Sequence, residues 1–342
     1  MQSPSAVLFV ILGIMTNPVI TSVRNTTGVI ELARPKALNS LNREMIDEIA
    51  AALEKWRDDD AVTQILIHAP ERSFCAGGDV RHARELILDG RAEEADEFFA
   101  AEYELNRVIS EYPKPYGAII DGVLMGGGQG VSVLGDFRII TDNAFASMPE
   151  MAIGYITDVG MSWKLQQLDT GVAMGRFLAL TGYRLTPDDM LYTGLATHLV
   201  ADPDPEAIIG GGFAAALDGA PTEHGPSRLQ DWQESIDTVF AHDSWADIEA
   251  ALDNHGDTEF VAQVRELTAQ ASPSALVATA ELLAANAHTD LAGALENERK
   301  LSYVVLREPD FVEGVRAVLV DKTRDAKFSE PQDPQVYREA LS

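Results

Sequence analysis

Hydrophobic and polar positions alternate along the first half of the chain in two ways, which together predict an α/β fold. After Met15 the segment PVITSVRNTTGVIELAR alternates residue by residue and predicts two short strands around a turn at Thr27-Gly28. Asn42 to Trp56 instead carries hydrophobic residues at helical spacing and predicts an amphipathic helix. Its apolar positions are Met45, Ile49, Leu53 and Trp56.

Further strands and helices follow in alternating order. Short apolar runs predict strands at Ala61–His68, Tyr116–Ile120, Phe137–Thr141 and Ala144–Met148. Charged, amphipathic sequence predicts helix through Val80–Glu111, and the glycines after Asp121 open a predicted apolar helix that ends at Leu134. Repeated strand, loop and helix segments are typical of α/β proteins.

The character of the chain changes near residue 206, which suggests three regions. Residues 15–205 form the predicted α/β core, and residues 206–342 are rich in alanine and charge and predict a helical C-terminal region. The Gly210–Gly212 run between them is interpreted as a linker. Residues 1–14 contain an apolar run too short to cross a bilayer, without a basic residue before it. They are interpreted as a disordered or mis-assigned extension, with a cleaved signal as the alternative.

Charge and cysteine content narrow the function classes. The 342 residues include 26 basic and 54 acidic ones, a net charge of −28. Such a field repels phosphate backbones and anionic lipids, so neither nucleic acid nor a membrane is expected as a partner. One cysteine, Cys75, cannot form an intramolecular disulfide, which favours a cytoplasmic setting. The histidines are scattered, so no metal is predicted.

Two glycine-rich loops are candidates for binding a negatively charged oxygen. Cys75 to Asp79 follows a predicted strand, and Gly126 to Gly128 stands directly after another. Backbone N–H groups in such loops suit an oxyanion hole, which stabilises charge that develops on a carbonyl oxygen. The alternative is that the glycines only allow tight packing of a strand against a helix.

Two carboxylates lie in apolar, glycine-rich sequence a few residues further on. Glu150 follows Ser147-Met148-Pro149, and Asp158 precedes Val159-Gly160. Acidic side chains in apolar surroundings can have raised pKa values and act as bases, acids or nucleophiles. Taken singly, each carboxylate is better interpreted as a surface cap or an ion-pair partner.

Together these segments resemble the crotonase (enoyl-CoA hydratase/isomerase) superfamily. Within it they are most similar to the 3-hydroxyisobutyryl-CoA hydrolase family. The segments that carry the resemblance are Arg34–Asn39, Phe74–Arg81, Asp121–Gly130, Met148–Glu150, Asp158–Gly160, Ala179–Leu185 and Asp310–Lys322.

The resemblance implies a spiral of repeated ββα units with a helical C-terminal region. It also implies hydrolysis of an acyl-CoA thioester, most specifically 3-hydroxyisobutyryl-CoA in valine catabolism, with coenzyme A as part of the substrate and without a cofactor. By position, Gly78 and Gly127 match the oxyanion-hole donors, and Glu150 and Asp158 match the catalytic acids. The positions expected to contact substrate are Lys36, Ala37, Leu38, Asp79, Arg81, Glu102 and Gly126.

One position separates the reactions of this superfamily. Hydratases carry a second glutamate after the glycine triplet, whereas this chain has Gly130, preceded by Gln129. Hydration is therefore disfavoured. Isomerisation of an enoyl-CoA, which needs one glutamate, stays open as an alternative, and so does a CoA-binding protein without turnover. A homo-oligomer is consistent with the superfamily, and Cys75, with no histidine nearby in sequence, is expected to pack in the core.

Overall fold

The computed structural model describes residues 17–71 and 73–342. The prediction for residues 1–14 therefore concerns a part of the chain outside the described residues. The strands are β1 Val19–Arg24, β2 Thr27–Leu32, β3 Gln64–His68, β4 Tyr116–Ile120, β5 Val123–Met125, β6 Phe137–Ile140, β7 Phe145–Ser147 and β8 His198–Leu199.

The helices fall into two groups, one interleaved with the strands and one after them. The first group is α1 Arg43–Arg57, α2 Val80–Leu88, α3 Ala92–Ser110, α4 Gly127–Gly130, α5 Met161–Lys164, α6 Val172–Thr181 and α7 Pro187–Tyr192. The second is α8 Pro205–Gly211, α9 Phe213–Ala216, α10 Arg228–Val239, α11 Trp245–Asp253, α12 Thr258–Thr268, α13 Pro273–Asn286, α14 Leu291–Val305, α15 Pro309–Val315 and α16 Pro334–Leu341. Short 3₁₀ turns lie at Pro35–Ala37, Glu150–Ile153 and Leu165–Gln167, and a π turn lies at Arg316–Val320.

The strands form two sheets. The larger has the order β1-β2-β3-β4-β6-β8, with β1 antiparallel to β2 and all other neighbours parallel. The smaller pairs β5 with β7, and Cys75 extends it through a bridge to Leu124. Each turn of the chain thus places one strand in the large sheet, the next in the small sheet, and then a helix or helical turn. This is the ββα spiral that the resemblance implies.

The core joins both halves of the chain. One large cluster of buried hydrophobic residues extends from Val19 to Tyr337. A smaller cluster covers the second face of the large sheet, where Leu66 and Ile139 meet Ile208 and Phe213 from α8 and α9. Because parallel strands are buried on both faces, their sequences are continuously apolar, as in β4 (YGAII).

Most predicted elements are confirmed, and the differences have local causes. The turn between β1 and β2 lies at Asn25-Thr26 and not at Thr27-Gly28. Asn25 adopts a φ of 51°, a left-handed conformation that asparagine tolerates well. The continuous helix predicted for 80–111 is two helices, separated at Gly90.

Two glycine-rich segments also differ from their predictions. The helix expected to reach Leu134 is the single turn α4, and β5 precedes it within the segment from Asp121. Gly210 and Gly211 belong to α8, which ends at Gly212, so this run is not a linker. The reason is tertiary, since α8 and α9 cover the open face of the large sheet and Phe213 packs onto Gly117.

None of the helices in the described ranges is both long and apolar enough to cross a membrane. All regular elements between residues 206 and 342 are helical, as predicted for that region.

Candidate active site

The two glycine loops meet because the small sheet brings them side by side. Cys75 N–H donates to the Val123 carbonyl, 2.9 Å away, and Met125 N–H donates to the Cys75 carbonyl, 3.1 Å away. This places Gly78 next to Gly127. A Cβ atom on Gly127 would lie 3.2 Å from the Gly78 nitrogen.

Neither the Gly78 N–H nor the Gly127 N–H has an acceptor among the described residues. Gly127 is the first residue of α4, where N–H groups lack an intrahelical partner. Because α4 is one turn long, its macrodipole is small, and the two N–H groups themselves are the donors at this point. The assignment of this pair as an oxyanion hole stays a prediction.

Glu102 stands over both glycines from the middle of α3 and is 1% exposed. Its carboxylate oxygens would lie 3.3 Å from a Cβ on Gly78 and 2.1 Å from one on Gly127. One oxygen, Oε1, has no hydrogen-bond partner among the described residues. Burial, and secondly the charge of Asp158, raise the pKa of Glu102 well above its ordinary value.

Glu150 begins the 3₁₀ turn after β7, next to the other side of the glycine loop. Its Oε1 would lie 2.8 Å from a Cβ on Gly126, and its Oε2 has no hydrogen-bond partner among the described residues. Burial raises the pKa of Glu150 well above its ordinary value, and the charge of Asp158 adds to this. A buried carboxylate with a free oxygen can attack a carbonyl carbon or take a proton from water.

Asp158 lies at the start of a short loop and is held by Tyr103, which a second tyrosine contacts in turn. Tyr103 Oη donates to Asp158 Oδ2 at 2.7 Å, and Tyr103 Oη lies 3.0 Å from Tyr155 Oη. Tyr155 in turn donates to Ser302 Oγ at 2.7 Å. Burial raises the pKa of Asp158 to about 7, although the bond from Tyr103 opposes the shift.

The three carboxylates share one small cavity of about 30 Å³, lined by glycine backbone, Phe99 and Ile153 among others. That is room for one or two water molecules. No Lys or Arg side chain of the described residues lines the cavity, so the three acids cannot all be ionised together. They titrate as a coupled set and offer both a proton donor and a proton acceptor near neutral pH.

An outer groove of about 850 Å³ leads to this cavity, and the two share Gly78 and Val80. Residues predicted to contact substrate line it, namely Lys36, Ala37, Leu38, Gly78, Asp79 and Arg81. Lys36, Arg81 and Lys322 form no ion pair with any described residue. The groove therefore offers three cations to a polyanion on an otherwise acidic surface.

Asp79 has a structural part in the groove. Its carboxylate pairs with Arg34 at 3.0 Å and accepts a bond from His82 N–H at the start of α2. Gly126, with a φ of 44°, makes the sharp entry into α4 beside Glu150. The structure thus brings the predicted residues into two connected spaces, the carboxylates inside and the cations outside.

Residue 130, where the resemblance places the second glutamate of a hydratase, has no space for a larger side chain. A Cβ on Gly130 would lie 2.6 Å from Asn106 Nδ2 and 2.9 Å from Val159 Cβ. Gln129, the neighbour, is turned away and donates to the Ser147 carbonyl at 2.8 Å. A second carboxylate side chain at residue 130 is therefore both absent and without space.

Cys75 packs in the core as predicted. Its thiol is fully buried, donates to the Asn39 carbonyl at 3.1 Å, and has a pKa raised by burial to about 12. A thiol in that state does not serve as a nucleophile at neutral pH.

The sequence did not reveal Tyr103, Tyr155 or Asn106 as neighbours of the site. Tyr103 directly follows Glu102, and this adjacency was the one available signal. The other two lie at ordinary core positions, and only the packing of α3 against the Asp158 loop shows their contacts.

The chain is similar in sequence and in fold to known proteins. The profile of the family described as enoyl-CoA hydratase/isomerase matches residues 27–342. The chain is 38% identical over 318 residues to a zebrafish (Danio rerio) protein named 3-hydroxyisobutyryl-CoA hydrolase, mitochondrial, covering 88% of this chain and 82% of the relative. The human (Homo sapiens) protein of that name is 35% identical, covering 95% of this chain and 87% of its own.

A solved structure described as a carnitinyl-CoA dehydratase from Mycobacterium thermoresistibile has the same fold. It superimposes with a TM-score of 0.86 at 37% sequence identity and covers 95% of this chain and 96% of its own. The relatives thus share one fold but carry names for two different reactions.

Proposed function

The chain belongs to the enoyl-CoA hydratase/isomerase family, and on that premise we propose that it hydrolyses an acyl-CoA thioester, most specifically 3-hydroxyisobutyryl-CoA. One observation carries the proposal. Two buried carboxylates, Glu150 and Asp158, lie beside a pair of glycine N–H groups that have no acceptor among the described residues, while the hydratase position at Gly130 is filled by Asn106.

In the proposed reaction the thioester oxygen lies between the N–H groups of Gly78 and Gly127. These donors stabilise the negative charge that the oxygen acquires when the carbonyl carbon is attacked, an effect of about 3–4 kcal/mol per donor. They are backbone groups fixed before the substrate arrives, so little reorganisation accompanies the reaction.

Glu150 supplies the attack in one of two ways. It adds an oxygen to the carbonyl carbon, the C–S bond breaks, and a mixed anhydride remains for water to hydrolyse. Alternatively it takes a proton from water, whose oxygen attacks directly. Asp158 orients the substrate hydroxyl or gives a proton to the departing thiolate, a task suited to a carboxyl whose pKa burial raises to about 7.

The outer groove fits the remainder of the substrate. Lys36, Arg81 and Lys322 supply positive charge for the phosphates of coenzyme A, and Leu38 and Ala37 supply apolar surface. Product release then yields the free acid and coenzyme A. The name of the zebrafish relative supports valine catabolism as the setting.

A panel of acyl-CoAs assayed for free thiol tests the proposal. We expect rapid release from 3-hydroxyisobutyryl-CoA or 3-hydroxypropionyl-CoA, reduced about 10³-fold or more by Glu150→Gln. The absence of thiol release from every thioester would reject a hydrolase. Single turnover in ¹⁸O-water, followed by mass analysis of the Glu150 peptide, identifies the anhydride route when label appears there, because only attack of water on the Glu150 carbonyl carbon of an anhydride places label in that side chain.

The second candidate is hydration or isomerisation of an enoyl-CoA, favoured by the dehydratase name of the solved relative. Absorbance of the conjugated thioester, followed with crotonyl-CoA in the same panel, detects it directly. A cytoplasmic setting and a homo-oligomer complete the proposal. Fluorescent fusions and light scattering test these two points.

A further inference from the structure

One buried carboxylate of the C-terminal region lies outside the proposed chemistry. Glu298 is in the middle of α14, within the charged run Glu296-Asn297-Glu298-Arg299, yet it is fully buried. It has no ion-pair partner among the described residues. Buried charged groups of this kind are rare unless hydrogen bonds satisfy them, so the contacts of Glu298 call for an explanation.

Both oxygens of Glu298 receive hydrogen bonds from the loop that follows Asp158. Gly160 N–H donates to Oε2 at 2.9 Å, and the Ser162 hydroxyl donates to Oε1. The serine is itself oriented, because Asn286 Nδ2 donates to its Oγ at 2.8 Å. Asn297 Nδ2 fixes Asn286 by donating to its Oδ1, also at 2.8 Å.

The loop needs such support because its backbone is strained. Val159 has a φ of 53° and Gly160 a φ of 80°, so two successive residues are left-handed. For a β-branched residue such as valine this conformation is a clear outlier, and it persists only when the surroundings impose it. Asp158 is the residue directly before this pair.

Glu298 also interacts electrostatically with the Asp158 carboxylate. Burial, and then the charge of Asp158, raise the pKa of Glu298 to about 8. Tyr103, from α3, is the other titratable group affected by Glu298. The contacts from α5 and α13 are the neutral Ser162 and Asn286.

We propose that Glu298 is a positioning residue, which holds the Val159–Gly160 backbone in its left-handed form and so keeps the Asp158 carboxylate in the cavity of the three acids. The inference rests on the proposed function for its kinetic part. Helix α14, whose Glu298 lies 140 positions after Asp158 in the sequence, thereby contributes directly to the geometry of the site.

Two substitutions separate the hydrogen bonds of Glu298 from its charge. Glu298→Gln keeps an oxygen for Gly160 N–H, and its amide can donate to Ser162, but it cannot ionise. Glu298→Leu removes both bonds at similar volume. We expect E298L to lose about 10²-fold in kcat with little change in KM, since small misplacements of catalytic groups have effects of that size.

E298Q, unlike E298L, is expected to keep kcat within about threefold of the wild-type value. Its pH profile should coincide with that of wild type below pH 7 and separate above pH 8. There the wild-type Glu298 ionises and places a negative charge near Asp158, which E298Q cannot do. A residue with a purely structural part would change the melting temperature without this pH-dependent separation.

Glu281, on the neighbouring helix α13, provides the matched control. It is a buried carboxylate that pairs with Arg338 of α16. Glu281→Gln and Glu281→Leu should lower the melting temperature without changing kcat or the pH profile. Hydrogen exchange of the Gly160 amide gives a readout independent of turnover, and E298L should accelerate it at least about tenfold.

The outcomes are distinguishable. If wild type hydrolyses thioesters and E298L is equally fast, the inference is overturned; a loss in E298Q as large as in E298L overturns it too. If wild type releases no thiol, the proposed function fails, and Gly160 exchange alone decides the positioning inference. Should E298L not fold, Glu298→Asp, which retracts the carboxylate by one methylene, is tested with the same measurements.

Discussion

The cavity that the three carboxylates share has two sides, and different parts of the chain fix them. The glycine side, Gly78 and Gly126–Gly127, is fixed by backbone bonds between Cys75 and the neighbouring strand β5, within about fifty residues of chain. The carboxylate side, Glu150 and Asp158, is fixed by Tyr103 of α3 and, in addition, by the C-terminal helices. Gly160 bonds to Glu298 of α14, and the turn of Glu150 packs on α15.

Because different segments fix the two sides, a mutation should be able to displace the carboxylates without displacing the glycine N–H donors, and the reverse. Damage to the C-terminal region should displace the acids and leave the glycine N–H pair in place. Damage to the glycine loops should do the opposite. The following predictions test that separation, from the largest expected effect to the smallest.

Gly127→Ala should have the largest effect on the glycine side. Its Cβ would lie 2.1 Å from Glu102 Oε1 and 3.2 Å from the Gly78 nitrogen, in the space proposed for the substrate oxygen. We expect kcat/KM to fall about 10²–10³-fold. The melting temperature should change little, because the end of the Glu102 side chain can move. Gly210→Ala is the control, since a Cβ there meets nothing within 4 Å.

Gly314→Ala should act on the carboxylate side through α15. Its Cβ would lie 2.4 Å from the Ile153 backbone carbon, in the turn that begins with Glu150. Backbone cannot yield as a side-chain end does, so we expect a loss of about tenfold in kcat/KM and a lower melting temperature. Gly256→Ala, in the same region but with open space around it, should behave as wild type in both assays. A loss of stability with unchanged kcat/KM would contradict the separation.

Asp158→Asn should move the acid limb of the pH–rate profile as well as lower activity. In the wild type, burial and the charge of Asp158 raise the pKa of Glu150, so the active base form is lost as pH falls through that raised value. Removing the charge lowers the pKa of Glu150, and the acid limb should shift to lower pH by about one unit. A limb that stays in place would show that the two acids do not interact.

Stability should fall slightly as pH rises, because the carboxylate side is buried. The pKa values of Asp158 and Glu298 are raised to about 7 and about 8, so the folded chain binds more protons than the unfolded chain up to that range. Their contribution is fully present below about pH 4, where the unfolded chain is protonated too, and it is lost progressively as pH rises to about 8. We expect the melting temperature to drop by a few °C between those values, and E298Q to reduce the drop.

Salt separates this effect from the repulsion among the surface charges. A net charge of −28 also destabilises the chain as pH rises, but added salt screens exposed charges far more than buried ones. The drop that remains in 0.5 M NaCl, about five times the ionic strength at which the Debye length is 10 Å, belongs to the buried acids. Its disappearance in salt would contradict the assignment.

The sequence by itself determined the secondary-structure elements and the candidate site residues. A short apolar run located β4 and a period-3.6 pattern located α1, each to within a residue or two, because each pattern reports local burial. The glycine loops, Glu150 and Asp158 were recognisable because each lies in a short contiguous motif. The continuation of α8 through Gly210 and Gly211 was not, since it depends on packing against the large sheet.

Tertiary structure alone decided which residues meet across the cavity. Asn106 fills the space at Gly130, Tyr103 reaches Asp158, and Glu298 holds Gly160. In sequence Glu298 belongs to a charged helical run and is indistinguishable from a solvated side chain. Its burial follows from the direction in which α14 packs on α3 and α5, and a periodic pattern does not encode the partner that a helix face will find.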